Sequence, residues 1–260
     1  MILTYSAGNK TVQVSDRRLT VENGKLYDDE ANKAVIVSCR NARFLIGYTG
    51  IARIGRKGTD LWLADELGNM GASSKTDDVI FENLRTKLVR DFGNRNPLTF
   101  VFAGYHYGPP RSGSFTKWLS NRGSEHMQCL HDDKKQVLYA HGMYPAISRE
   151  ARRRIKRYFN KDYFFQSTRE KVAEELVAII RDAAGHSTYG KYIGRGCMSA
   201  GLFFDKKGYV TNYHTDCLDV VAYMPYMVAG GMVMGGGSEP ILRPATEAEI
   251  ANMTPPNNVS

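Results

Sequence analysis

The sequence lacks the long apolar run that a membrane-spanning helix requires. None of its hydrophobic stretches approaches the roughly 20 residues needed to cross a bilayer. Its first residues, MILTYS, carry neither the basic start nor the apolar core of a secretory signal. These absences predict a protein that is not inserted in a membrane, and they favour the cytoplasm as its compartment.

Cysteine is scarce, and its spacing fits no metal or redox motif. The four cysteines are scattered over 260 residues without a CxxC pair. The six histidines contain no pair four positions apart on a helix. The sequence therefore predicts no metal site and no cofactor, and we interpret the cysteines as reduced thiols.

The net charge of +8 is concentrated in the run REARRRIKRYFNK, residues 149–161. Ile147, Ala151 and Ile155 recur there at helical spacing, so the basic side chains form the outer face of an amphipathic helix. The simplest interpretation is a solvated face. The alternative is a surface that docks an acidic partner or a neighbouring subunit. Nucleic-acid binding is disfavoured, because charge is its only support and no recognition motif accompanies it.

Blocks of strand-like and helix-like sequence alternate along the chain. Short apolar or alternating runs predict strands, and apolar stripes with a period near 3.6 predict helices. The predicted strands are 1–7, 11–20, 34–39, 43–48, 98–105, 115–120, 136–140, 196–204, 209–214 and 218–224, and the predicted helices are 51–69, 76–92, 149–161 and 168–184.

The grouping of helices between blocks of strands argues against an alternating parallel α/β sheet. Two antiparallel sheets packed face to face, with a helix pair on each outer face, would cover every apolar surface. The prediction is an α+β fold, a four-layer αββα sandwich formed by residues 1–224. Residues 225–260 are expected to be a Gly-rich segment and a polar tail.

Five short motifs resemble, in the same order, those of the proteasome-like N-terminal-nucleophile hydrolases, the family of the 20S proteasome and HslV. They are Ser15-Asp16-Arg17-Arg18, Lys33, Gly47-Tyr48-Thr49-Gly50, Phe102-Ala103-Gly104-Tyr105 and Gly194-Arg195-Gly196. The resemblance covers roughly residues 1–224 and implies the same two-sheet fold.

In this family the nucleophile is a Thr, Ser or Cys that begins the mature chain, and its own α-amine is the base. The resemblance implies that Asp16 orients Lys33 and that the charge of Lys33 tunes the nucleophile. It also implies that Gly50 supplies an oxyanion donor and that Arg18 braces the site by charge-assisted hydrogen bonds. Two structural alternatives stay open: a plain Asp16–Lys33 ion pair, and a turn that requires Gly50.

The sequence departs from the family pattern at the nucleophile. Aligning the first hairpin places Met1 one position past it, and no residue of the chain occupies its place. The segment Ala140-His141-Gly142 stands where the family has a serine. Gly190 and Ile193 stand where it has an aspartate and a serine.

Two functions are consistent with this pattern. One is a non-catalytic subunit that associates with copies of itself into a ring or stack. Its basic helix would then face Asp60, Asp65 and Glu66 of a neighbour. The other is an active threonine-type peptidase or amide hydrolase with a peptide substrate, whose mature N-terminus differs from Met1.

Overall fold

Two β-sheets packed face to face form the centre of the molecule, and helices cover their outer faces. The computed structural model describes residues 1–8, 10–20, 25–29, 31–54, 57–92, 98–107, 113–121, 127–130, 137–142, 144–160, 163–205, 208–215 and 226–234.

Strands and helices follow the chain in the grouped order that the sequence predicts. The strands are β1 (Ile2–Ala7), β2 (Lys10–Asp16), β3 (Leu19–Thr20), β4 (Leu26–Asp28), β5 (Ala34–Ser38), β6 (Ala42–Gly50), β7 (Arg53–Ile54), β8 (Lys57–Gly58), β9 (Leu98–His106), β10 (Gly113–Ser120), β11 (Met127–Leu130), β12 (Val137–His141), β13 (Cys197–Asp205), β14 (Gly208–Thr215), β15 (Tyr226–Ala229) and β16 (Met232–Met234). The α-helices are α1 (Thr59–Asn69), α2 (Asp77–Phe92), α3 (Arg149–Asn160), α4 (Tyr163–Gln166) and α5 (Arg169–Ala184), with 3₁₀ turns at Ala72–Ser74, Tyr144–Ala146 and Gly190–Tyr192.

Within the described residues, one main sheet has five strands and the other has seven. The five-stranded sheet runs β12-β1-β2-β13-β14 and is antiparallel throughout. The seven-stranded sheet runs β11-β10-β9-β6-β5-β15-β16. Strands β1 and β2 are buried along their whole length. Such burial is expected of strands that have helices on one face and a second sheet on the other.

Three apolar clusters hold the layers together. The helices α1 and α2 pack on the larger sheet, where Leu63 and Leu84 share a buried cluster with Phe44. The helices α3, α4 and α5 pack on the smaller sheet, through residues such as Leu176 and Leu3. A smaller cluster joins the two sheets and contains Ile36, Leu45, Tyr105, Ala200 and Leu202.

The segment 51–58 does not extend the first helix as the sequence predicts. It forms β7 and β8, and α1 begins only at Thr59. The apolar stripe of this helix starts at Leu61, and the earlier Ile51 and Ile54 pack against the same core from outside the helix. The Thr59 hydroxyl donates to the Ile51 carbonyl at 2.8 Å and closes the loop.

Part of the Gly-rich segment belongs to the larger sheet. Strand β15 pairs with β5 in parallel, and β16 pairs with β15 in antiparallel orientation. Gly230 and Gly231 form the turn between them at φ values of 54° and 74°, which favour glycine. Residues 226–234 therefore belong to the larger sheet, which among the described strands contains one parallel pair. The domain boundary after residue 224 stays a prediction. The predicted strand 218–224 and the tail from residue 235 lie outside the described residues.

No helix among the described residues combines the length and the apolar character that crossing a membrane requires.

Candidate functional site

Asp16, at the end of β2, is the centre of a buried polar site. Its side chain is fully buried, and Oδ1 accepts a hydrogen bond from the Met1 α-amine. Oδ2 accepts from Lys33 Nζ at 3.2 Å, from the Arg18 backbone N–H at 3.0 Å and from the Gly194 backbone N–H at 3.1 Å. The carboxylate therefore joins the chain start, the end of β2, the residue before β5 and the segment before β13.

The first hairpin brings Met1 to this carboxylate. Strands β1 and β2 pair with Ile2 opposite Ser15, so Met1 falls opposite Asp16, and the Asp16 N–H donates to the Met1 carbonyl at 3.2 Å. On the other side of β2, Cys197 of β13 pairs with Asp16. Because strands flank Asp16 on both sides, its position is determined by the backbone ladders of the sheet.

Lys33 is almost completely buried, and its ammonium group is held by two acceptors. Besides Asp16, Nζ donates to the Arg18 carbonyl at 2.5 Å. A backbone hydrogen bond from Ala31 to the Arg17 carbonyl, 3.0 Å long, fixes the two chain segments side by side. The structure thus brings together Asp16 and Lys33, the pair that the sequence proposes.

The charge on the Asp16 carboxyl is maintained by its neighbours. Burial alone would raise its pKa, but the Lys33 ammonium and the Met1 amine outweigh burial and lower the pKa below the ordinary value of 3.8. Asp16 is therefore ionised at neutral pH. Burial lowers the pKa of the Met1 α-amine, and the Asp16 carboxylate acts in the opposite direction.

Arg18 contributes to the site through its backbone and not through its guanidinium group. The guanidinium group forms a two-point ion pair with Asp29, with both nitrogen–oxygen distances at 2.9 Å. The charge-assisted hydrogen bonds expected at the site are therefore made to Asp29, which the sequence analysis did not identify. No sequence motif marks Asp29, because the loop that carries it is recognisable only once it folds against β2.

Gly50 lies at the exposed end of β6, with a φ of 124°. This conformation favours glycine whatever the residue does chemically. The described contacts of Asp16 and Lys33 do not include Gly50, so its role as an oxyanion donor stays a prediction.

Gly142, just after β12, lies directly against Met1. It has a φ of 96°, and a β-carbon at this position would lie 3.3 Å from Met1 Cα and 3.1 Å from Thr49 Oγ1. The serine expected from the family pattern is thus replaced by a close backbone contact. Thr49 belongs to the Gly47–Gly50 motif, so the sequence contained this signal, but the hydroxyl was not singled out.

His141 is a weak base in this environment. Burial lowers the pKa of its imidazole to about 4, so the neutral ring has little tendency to accept a proton at pH 7. The ring packs near Trp118, with 5.7 Å between the ring centroids. Gly190 and Ile193 mark the other place where the sequence departs from the family pattern. Gly190 begins a 3₁₀ turn, and Ile193 packs in the apolar core. Neither residue places a polar side chain at the site.

Within the part of the chain that the structure describes, no group of three or more His, Cys, Asp or Glu side chains is arranged to hold a metal ion.

Solved structures with the same architecture cover most of this chain. Anbu (ancestral beta-subunit) from Yersinia bercovieri aligns with a TM-score of 0.55 and 10% identity, covering 84% of this chain and 88% of that one. The Gly-1 mutant of Anbu from Hyphomicrobium sp. strain MC1 gives 0.54 and 12%, covering 84% and 87%. The eukaryotic HslV from Trypanosoma brucei gives 0.48 and 15%, covering 78% and 98%.

No protein-family model matches the sequence, and no curated protein matches it. At the identities of the structural matches, the likeness establishes a shared fold. This protein therefore has the proteasome-like fold of the N-terminal-nucleophile hydrolases, which confirms the fold class and the resemblance predicted from the sequence. Among its structural relatives are the Anbu proteins.

Proposed function

We propose that this chain is a non-catalytic subunit of a homo-oligomeric, proteasome-like assembly. The observation that carries the proposal is the residue found beside Asp16 and Lys33. That residue is Met1, whose backbone nitrogen contacts Asp16 and whose side chain packs in the apolar core of the smaller sheet. A thioether offers neither the hydroxyl nor the thiol that attack on an amide requires.

The described bonds of Lys33 agree with a structural role for the polar site. Its ammonium group donates to the Asp16 carboxylate at the end of β2 and to the Arg18 carbonyl just after it. The same carboxylate accepts a hydrogen bond from the N–H of Gly194, which lies 178 residues later in the chain. Hydrogen bonds of this kind hold segments that are distant in sequence together, which is consistent with a structural role.

Self-association is the second part of the proposal. The Anbu protein of Yersinia bercovieri is described as an ancestral beta-subunit, and this chain shares its fold. We extend the property of being a subunit to this chain. We also assign it to the cytoplasm, in agreement with the free thiols of the buried Cys39 and Cys197.

An active amide hydrolase is the alternative function. It is favoured by the lowered pKa of a buried aspartate beside a buried lysine, a combination that is frequent at catalytic sites. This function requires that the mature protein carry Thr, Ser or Cys next to Asp16 and Lys33. It also requires a peptide substrate.

Hydrolysis of a panel of fluorogenic peptides distinguishes the two functions. The purified protein is expected to show no turnover above that of Lys33→Ala. Lys57→Ala serves as the matched control, because Lys57 is an exposed lysine paired with Asp65. Turnover that is present in the wild type and in Lys57→Ala but lost in Lys33→Ala would establish the hydrolase. N-terminal mass analysis of the protein from its native host adds a second test: a chain that starts at Met1 supports the non-catalytic subunit, and a chain that starts with an extra Thr, Ser or Cys supports the hydrolase.

A variant that begins with Thr immediately before Met1, the position to which the family nucleophile aligns, tests whether the polar scaffold is competent. The added residue would adjoin Met1, whose backbone nitrogen already contacts Asp16. Weak peptide hydrolysis is expected, and a second change, Lys33→Ala, is expected to abolish it because the lysine charge tunes the amine. Activity that survives Lys33→Ala would show that the scaffold has no catalytic competence of its own.

A further inference from the structure

Helix α3 and the edge of the smaller sheet form a groove with an apolar floor and a basic rim. The groove has a volume of about 350 Å³ and is lined by Leu3, Leu138, Ala140, Ile147, Ile155, Arg152 and Lys156. The two cations are four positions apart on α3, so they lie on the same side of the helix. The apolar residues come from both the sheet and the helix.

The basic rim is part of a wider cationic surface. Helix α3 carries six basic residues and one acidic residue, so most of the net charge of +8 lies on it. Its exposed basic side chains are Arg149, Arg152, Arg153, Lys156 and Arg157. Of these, Arg149, Arg153, Lys156 and Arg157 form no ion pair with any other residue that the structure describes. A concentration of like charge of this kind weakens the isolated fold and attracts acidic partners.

A second copy of this chain offers little acidic surface in return. On α1, Asp65 is paired with Lys57 and Glu66 with Lys87. Asp60 is largely buried, and burial raises its pKa to about 6. Several carboxylates on α2 and α5 are also matched within the chain, by the pairs Glu82–Arg85, Asp91–Arg90, Glu170–Arg169 and Glu174–Lys171. Asp182 on α5 is exposed and forms no ion pair with another residue that the structure describes. The described part of a second copy therefore offers α3 few unmatched carboxylates.

We propose that this groove binds an acidic, amphipathic segment of a different protein. An apolar side chain of that segment enters the groove over Leu138 and Ile155, and flanking carboxylates meet Arg152 and Lys156. An apolar centre with a charged rim is the usual anatomy of a protein interface. A nucleic acid would use the cations but would leave the apolar floor empty, because the described apolar residues that line the groove are aliphatic and offer no aromatic stacking surface.

A fluorescein-labelled peptide with a leucine stripe at helical spacing and glutamate at its other positions tests the proposal. The comparison probes are the same peptide in scrambled order and a single-stranded oligonucleotide. In fluorescence anisotropy at about 0.1 M salt, where charges still act over ~10 Å, the striped peptide is expected to bind about tenfold tighter than the scrambled one. It is also expected to bind more tightly than the oligonucleotide.

Matched variants locate the site. Arg152→Glu with Lys156→Glu is expected to weaken the striped peptide at least tenfold, and Leu138→Ser is expected to reduce its advantage over the scrambled peptide. Arg85→Glu on α2 is expected to change neither the affinity for the striped peptide nor its advantage over the scrambled peptide. Thermal unfolding followed by circular dichroism verifies that each variant is folded. The double variant Arg152→Ala with Lys156→Ala removes the two charges without reversing them and can be used if the glutamate variant does not fold.

Three results would overturn the proposal. They are equal affinity for the two peptides, tighter binding of the oligonucleotide, and a fall in the protein's own oligomeric mass when Arg152 and Lys156 are reversed. The third would assign the surface to contacts between copies of the chain. None of these results depends on whether the protein hydrolyses peptides.

Discussion

At the scale of single residues, Asp16 stabilises the fold through its hydrogen bonds, whether or not it takes part in chemistry. Its two oxygens accept four hydrogen bonds, from Met1, Lys33, Arg18 and Gly194, at a point where water has no access. One of the donors is the Lys33 ammonium group. Removing the carboxylate charge would leave the buried Lys33 ammonium without its counter-charge, which is the costly way to break a buried pair.

Asp16→Asn is therefore expected to lower the free energy of unfolding by about 3 kcal/mol at pH 7. Asp29→Asn is the control, because Asp29 is well exposed and its pair with Arg18 is largely solvated, so a loss below about 1 kcal/mol is expected. Urea denaturation measures both. Equal losses would show that Asp16 contributes no more than a surface ion pair.

The same pair predicts a pH dependence. Because the pKa of Asp16 is lower in the folded state than its ordinary value of 3.8, its stabilising contribution is complete above that value. The contribution is lost as the pH falls through the folded-state pKa. The difference in the free energy of unfolding between the wild type and Asp16→Asn should therefore be smaller at about pH 3 than at pH 7.

At the scale of secondary-structure elements, the hairpin β15–β16 completes the larger sheet. Val228 is buried and pairs with Val37 on the parallel neighbour β5, whereas Met232 on β16 is 40% exposed. Strand β15 also packs under α1, where Tyr226 belongs to the same apolar cluster as Leu63. The hairpin thus covers the edge of β5 as well as part of the core.

Val228→Ala is expected to destabilise the protein by about 2 kcal/mol, because it leaves a cavity between the sheet and α1. Met232→Ala is expected to cost well under 1 kcal/mol, since much of its side chain is already in water. Thermal or urea unfolding checks both variants. Similar small effects would mean that the hairpin unfolds independently of the rest of the sheet.

The contrast between β2 and β15 shows what sequence can predict in this fold. Strand β2 combines an alternating pattern with the Asp16-Arg17-Arg18 motif, and the Asp16–Lys33 contact follows once the strand order is correct. Strand β15 was missed because a Gly-rich segment has no periodic apolar signal, and its partner β5 lies almost 200 residues earlier. The turn of Arg18 toward Asp29 was missed for the same physical reason, since a contact between two loops leaves no periodic pattern.

At the scale of the whole molecule, charge is unevenly distributed in a way that bears on assembly. The sequence suggested that the basic helix of one subunit faces Asp60, Asp65 and Glu66 of the next. In the structure Asp65 and Glu66 are paired with lysines of their own chain, and Asp60 is largely buried. A contact of α3 with this surface would have to replace those pairs, so the net gain in binding free energy is small.

Exposed apolar residues offer a better basis for self-association. Leu26 and Tyr27 on β4 are about half exposed, as are Val79 and Val89 on α2 and Phe165 on α4. Burying apolar area depends little on ionic strength, whereas attraction between exposed charges is screened beyond ~10 Å at 0.1 M salt.

The oligomeric mass measured by light scattering at micromolar concentration is therefore expected to be the same in about 0.1 M and about 0.5 M salt. Reversing Arg153 and Arg157 to glutamate on α3 should leave it unchanged, because neither side chain pairs with a described carboxylate. A monomer in the lower salt would contradict self-association itself. An oligomer that dissociates only in the higher salt, or on reversal of Arg153 and Arg157, would instead restore the electrostatic contact between subunits and remove α3 as a surface for a different acidic protein.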